Sequence, residues 1–222
     1  MKKIITILLL SSLFSETFIY SAGFRFINVG KATISSIVND DNQVVINALV
    51  ESNKFLDRLY KVRDEVKLTV NPEDFSLKKI EKNVLEGNWE KNYIAEIDSN
   101  LNINTKDKLI ENDKLLFDPI SIIYNLRAKE LITGKKYQYN ILGIDEIKSL
   151  ATEVKEKETI KVPAGKYQCI KVVPYSTTGD KIFKENGYMT AWFSNDDKKI
   201  PVKIELKTNI GNLVLKLKKI IP

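Results

Sequence analysis

The sequence predicts an all-β, mainly antiparallel protein of roughly ten to twelve strands, curved as a half-barrel or stacked as a sandwich, with one amphipathic helix near residues 119–131. Short runs of alternating apolar and polar residues recur along most of the chain, the cleanest placing Ile200, Val202, Ile204 and Leu206 against Lys199, Pro201, Lys203, Glu205 and Lys207. Turn clusters punctuate those runs, among them Asn39-Asp40-Asp41-Asn42, Glu86-Gly87-Asn88, Pro163-Ala164-Gly165-Lys166 and Asn195-Asp196-Asp197. One stretch, Asp118 to Leu131, combines helical spacing with a start signal.

In chain order, Phe24 to Val38 reads as a strand bent at Gly30, and Gln43 to Glu51 returns beside it. Lys54 to Val62 is ambiguous, since Phe55, Leu56, Leu59 and Tyr60 keep helical spacing for barely two turns. Glu65 to Val70 alternates and stops at Asn71-Pro72. Ser76 to Leu85 and Trp89 to Asp98 form a polar hairpin around Gly87, and Leu101, Ile103 and Thr105 alternate in a shorter strand. After the helix, Lys135 to Ile144, Ala151 to Val162 and Tyr167 to Val173 read as strands, and Pro174 to Phe183 as the loosest loop. Gly187 to Ser194, the run ending at Leu206 and Leu213 to Ile220 complete the set, with a turn at Asn209 to Asn212.

The helix has a full set of local signals. Asp118 can accept from the free amides of the first turn, and Pro119 occupies the first helical position, where its missing N–H costs nothing. Ile120, Ile123, Tyr124, Arg127 and Leu131 make one stripe, and Gly134 is the stop signal. A lone helix among strands buries its stripe on the sheet. Arg127 on that stripe has two readings: a stem on the core edge with its head in water, or a buried guanidinium paired with a carboxylate of the sheet.

The first residues read as a leader. Lys2 and Lys3 are the basic start, Ile4 to Leu10 the apolar core, and Ser21-Ala22-Gly23 the small residues for cleavage. This expectation makes 1–23 a signal peptide and 24–222 one β-rich domain, located in the periplasm or secreted. The alternative is an uncleaved anchor, marginal because Ile4 to Tyr20 contains Glu16. No later segment is apolar enough to cross a membrane as a helix. Losing Lys2, Lys3 and Glu16 lowers the net charge from +6 to +5. That excess is spread along the chain rather than clustered with aromatics, which argues against nucleic acid. Lys216, Lys218 and Lys219 are the wet face of the last strand.

Catalytic chemistry finds little purchase. Histidine is absent, which excludes histidine-dependent triads and histidine metal sites. Cys169, the single cysteine, sits in a strand-like run with no base to activate it. The pairs Asp40-Asp41 and Asp196-Asp197 fall in turns, where acidic residues are ordinary. The expectation is therefore no enzyme, no catalytic or metal-binding residue and no cofactor.

Four stretches resemble the exported bacterial proteins of the domain-of-unknown-function family 3108. They are Phe24 to Ala32 with Gly30, Asp118 to Arg127 followed by Gly134, Val162 to Tyr167 with Lys171-Val172, and Trp192-Phe193-Ser194 with Asp197 and Ile200-Pro201-Val202. The resemblance implies a periplasmic, curved antiparallel β architecture similar to the lipoprotein-carrier fold, and no known reaction. The expected function is a non-catalytic binding or carrier module for an apolar or amphipathic ligand, with a lipid or another envelope component as partner. The alternative is a structural or protein-interaction module with a fully packed core. In the carrier reading Arg127, Tyr124 and Trp192 are the candidate ligand-binding residues. Arg127 and Tyr124 lie on the helix stripe, and Trp192 lies on an aromatic strand that serves equally well as core.

Overall fold

The computed structural model describes residues 16–24, 27–144, 146–175, 189–208 and 211–222. Alternating sequence becomes a single sheet. Its strands are β1 (Glu16–Phe24), β2 (Ile27–Val38), β3 (Val44–Ser52), β4 (Val62–Val70), β5 (Leu77–Glu86), β6 (Trp89–Ile97), β7 (Ile103–Thr105), β8 (Leu109–Ile110), β9 (Leu116–Phe117), β10 (Lys136–Leu142), β11 (Ile147–Val162), β12 (Gly165–Tyr175), β13 (Met189–Ser194), β14 (Pro201–Thr208) and β15 (Gly211–Ile221). The helix α1 (Pro119–Arg127) lies between β9 and β10. The architecture is the expected one, but among the described residues the sheet has fifteen strands rather than ten to twelve. The extra strands have clear origins. β8 and β9 are two residues each, too short for any periodicity. β1 falls in the stretch read as leader.

Across the sheet the order is β8-β7-β6-β5-β4-β3-β2-β1-β15-β14-β13-β12-β11-β10-β9. β1 is thus the middle strand, with seven on each side. Neighbours are antiparallel throughout, except that β9 and β10 run parallel. The two edges, β8 and β9, are separated along the chain only by residues 111–115. An extended chain rises at most about 3.6 Å per residue, so these edges lie within about 20 Å of each other. The sheet is therefore strongly curled but open: no ladder joins β8 to β9 among the described residues. Asn112 and Asn140 pin the gap: Asn112 Nδ2 donates to the carbonyls of Leu101 (2.9 Å) and Lys114 (2.6 Å), and Asn140 Nδ2 to that of Leu115 (3.4 Å). Both edges are very short, which limits their use as templates for another chain.

Inward side chains of both arms meet α1 in one core cluster. Seven consecutive helix residues, Ser121 to Arg127, are buried, so the helix is enclosed on all sides rather than laid on the sheet by one stripe. Its cap is the one the sequence signals. Asp118 Oδ1 accepts from the Ile120 N–H at 2.9 Å, and the Asp118 N–H donates to Ser121 Oγ at 3.0 Å. The C-terminal end differs from expectation: the helix stops at Arg127, where the Ala128 N–H bonds back to Tyr124 and Asn125. Leu131 is buried from the irregular segment that follows instead. Gly134, with φ of +85°, shapes the entry to β10, its N–H bonded to the Val154 carbonyl.

Two further local readings are settled. The ambiguous run after Lys54 holds a short 3-10 turn, Leu56–Arg58, organised by Asn53 Oδ1 accepting from the amides of Phe55 and Leu56. Gly30 is required by close approach: it pairs with Ser52, and a Cβ there would lie 1.9 Å from the Glu51 carbonyl oxygen. The leader positions Lys2, Lys3 and Ile4 to Leu10, most of the Pro174–Phe183 loop, the strand start at Gly187 and the turn at Asn209 lie outside the described residues.

The expected boundary after Gly23 falls inside a strand. It cuts through β1, whose residues Phe18, Tyr20 and Ala22 are buried and whose backbone pairs with both β2 and β15. Removing it would expose the inward faces of both neighbours and separate the two arms. A chain beginning at Glu16 is therefore expected to fold. One beginning at Phe24 is expected to lose cooperative unfolding, read by circular dichroism melts of the two chains purified in parallel.

Candidate functional site

An apolar cleft of about 400 Å³ lies where the N-terminal end of α1 meets the sheet. Ala32 and Ile34 of β2, Ala48 and Val50 of β3, Val66 of β4, Met189, Ile204, Leu206 and Leu215 from the other arm, and Ile120 and Ile123 of the helix form its walls. Its volume falls within the range typical of small-molecule pockets, about 300–1,000 Å³. The cleft exists because inward positions that elsewhere carry large side chains carry alanine here. Ala32 stands two residues from Ile34, and Ala48 two from Ile46, each pair on one face of its strand. Among the described residues the charged groups on the wall are Lys82, Asp118 and Lys207, and Lys82 Nζ lies 2.9 Å from Asp118 Oδ2. Asp118 thus serves both the helix cap and the charge pair.

The three residues expected to hold a ligand do not line this cleft. Arg127 is only 4% exposed and lies at the other end of α1. Its guanidinium pairs with Glu16 of β1, donates to the Lys198 carbonyl from Nε (3.3 Å) and Nη2 (3.2 Å), and sits over the rings of Phe18 (5.1 Å) and Tyr124 (5.4 Å). Of the two sequence readings, the buried, paired guanidinium is the one realised. Its partner was hidden because Glu16 lies in the apparent leader. Tyr124 is buried, stacks on Phe75 at 5.9 Å, and has its phenol pushed up to about 12 by burial. Phe75 reaches it from a left-handed backbone conformation (φ 61°), uncommon for so bulky a residue.

Trp192 is buried on the opposite face of the sheet. It pairs with Lys203, next to the cleft-lining Ile204, so their side chains point to opposite sides. Its indole donates to Glu158 Oε1 at 2.7 Å, and Lys203 and Lys171 cover the ring at 4.0 and 5.1 Å. Cys169 is buried in β12, and burial, with the charges of Glu158 and Asp196, pushes its thiol up to about 11, away from the reactive thiolate.

Asp64 stands two residues beyond Val66 on the face that lines the cleft. Burial, reinforced by the nearby charge of Glu86, pushes its carboxyl up to about 6, although it accepts from the Leu85 N–H at 3.2 Å. An acid whose pKa is raised on folding binds its proton more tightly when folded. Its ionisation therefore costs stability as pH rises from about 4, the ordinary carboxylate value, through 6.

Two measurements check this electrostatic account. Asp64→Asn is expected to gain stability relative to the parent as pH rises between about 4 and 6, and to match it below that window, in denaturant melts taken across pH. Arg127→Met leaves Glu16 buried without its partner and is expected to cost about 3–5 kcal/mol, with part of the loss recovered by adding Glu16→Gln.

Comparison with known proteins agrees with this architecture. A β-barrel-like protein of the domain of unknown function DUF1849 from Brucella abortus has 9% identity and a TM-score of 0.60, over 94% of this chain and 97% of that one. A DUF1089 family protein from Pseudomonas aeruginosa has 11% identity and a TM-score of 0.43, over 77% of this chain and 87% of that one, too low to carry an argument. No curated protein matches the chain. The family DUF3108, described as a protein of unknown function, matches residues 19–218, from within β1 to within β15. With its fold, its helix signals and a match over most of its length, the chain belongs to DUF3108.

Proposed function

We propose that this protein is an exported, non-catalytic binding module of the cell envelope that holds the apolar part of an amphipathic ligand between α1 and the sheet. The observation that carries this reading is the cleft: about 400 Å³, walled by apolar side chains, with charge among the described residues at Lys82, Asp118 and Lys207. A fatty-acyl chain suits such walls, since burying it removes apolar surface from water on both sides. Its polar end suits the lysines, where a carboxylate or phosphate can share Lys82 with Asp118. Export rests on the Lys2-Lys3 start and the apolar run Ile4 to Leu10. Because Glu16 to Phe24 belong to the sheet, the leader in this reading ends before Glu16.

The purified protein is expected to yield a lipid in its organic extract by mass spectrometry, and to take up a fluorescent fatty acid. Ala48→Trp, which fills the cleft from its wall, is expected to abolish uptake while keeping a cooperative melt, and Arg127→Met to leave uptake by the remaining folded protein intact. Absence of both lipid and uptake would replace the carrier with a packed interaction module. The N-terminus of protein from the envelope fraction is expected at or before Glu16.

A further inference from the structure

The chain leaves several large apolar side chains in water at one end of the barrel. Between β3 and β4, Phe55 is 74% and Leu59 77% exposed, with Tyr60 beside them also exposed. Trp89, at the tip of the β5–β6 hairpin, is 50% exposed. These lie together. The Gly87 N–H of the hairpin donates to the Lys61 carbonyl at 2.8 Å, and Gly87 packs so closely on Tyr60 that a Cβ there would sit 2.7 Å from the ring. Asn53 ties the same connection to the start of β2, through its backbone N–H to the Val29 carbonyl (2.8 Å) and its Nδ2 to the Asn28 carbonyl (2.9 Å), where Ile27 is also exposed.

The connection is rigidly supported, so its exposure is a feature of the fold. Asp57 pairs with Arg63 Nη2 at 2.7 Å and also accepts from the Ser52 hydroxyl. Its remaining charges, Lys54, Arg58 and Lys61, are basic and alternate with the apolar residues. Glu86 and Glu90 flank Trp89, so the hairpin contributes its ring and the connection its positive charge. Trp and Tyr, amphipathic rings, favour the boundary between lipid and water, and lysines and arginines beside them reach the headgroups. Scattered exposed apolar residues are ordinary on a protein surface, but a held cluster rimmed by charge is not.

The register places this end with the cleft. Val50, a cleft wall, is two residues from Ser52 at the end of β3, where the connection begins. Val66 and Lys82, also walls, lie opposite each other in β4 and β5, whose near ends are Val62 and Glu86.

We propose that this end of the barrel is a peripheral membrane-docking face, which seats Phe55, Leu59, Tyr60 and Trp89 in the interface of an anionic phospholipid bilayer. Docking does not require that the cleft be occupied, so it stands or falls apart from the carrier reading. It would place the cleft's half of the barrel against the surface that supplies or receives an amphipathic ligand.

The test uses the processed protein and sedimentation with vesicles of phosphatidylethanolamine and phosphatidylglycerol, compared with phosphatidylcholine alone. Binding is expected to the anionic vesicles, weaker at high salt. The emission of Trp89 is expected to shift to the blue on binding, identified by its loss in Trp89→Phe, since the other tryptophan, Trp192, is buried. Phe55→Ser with Leu59→Ser changes two highly exposed side chains and should leave the melt unaltered while weakening vesicle binding about ten-fold or more. Vesicle binding that this pair does not weaken overturns the proposal, as does an unmoved Trp89 emission. So does a parent that ignores vesicles, including one that self-associates through the face by sedimentation velocity until Phe55→Ser disperses it.

Discussion

A single buried ion pair ties together the parts of this protein that distance in sequence would otherwise separate. Arg127 ends the helix, and Glu16 begins the middle strand of the sheet. Neither charge is comfortable out of water alone; each is compensated by the other, and the guanidinium also donates to the carbonyl of Lys198. The pair therefore fixes where the C-terminal end of α1 sits, with the rings of Phe18 and Tyr124 closing over the guanidinium. At the helix's other end Asp118 does a similar job with Lys82 of β5. The plug is held at both ends by charge and along its length by apolar packing.

The architecture was legible in the sequence wherever alternation was sustained and turns were marked. The helix was legible from Asp118 and Pro119, whose roles are local. What escaped the sequence was non-local. β1 looks like the tail of a leader because an inward-facing strand in a closed core and a leader's apolar segment draw on the same residues. Arg127 could not be assigned while its partner, Glu16, was counted with the leader. β8 and β9 exist because the curl of the sheet brings their backbones to a neighbour, not because two residues have any pattern. Helix length was overestimated because Leu131 keeps helical spacing while being buried from an irregular segment beyond the helix.

The site was less legible than the fold. Large and distinctive side chains drew attention, yet Arg127, Tyr124 and Trp192 are each committed to partners within the structure. The cleft is marked by absence of bulk, in Ala32 and Ala48, whose significance appears only when the strands are registered and the helix is in place. An alanine between larger inward residues was a visible signal, but alanine is also what a tightly packed core uses. Only the three-dimensional arrangement separates a space from a close contact.

The seam at the middle of the sheet has a consequence for how the chain comes to be folded. β1 pairs with β15, so Thr17 faces Ile221 and nearly the whole chain intervenes between them. Contacts this distant are made late, since the entropy of closing so large a loop must be met before the pairing returns anything. The two arms cannot be joined, nor Arg127's site around Phe18 completed, until the last strand has left the ribosome. A polypeptide emerging from its N-terminus thus remains without this central pairing until β15 has followed it.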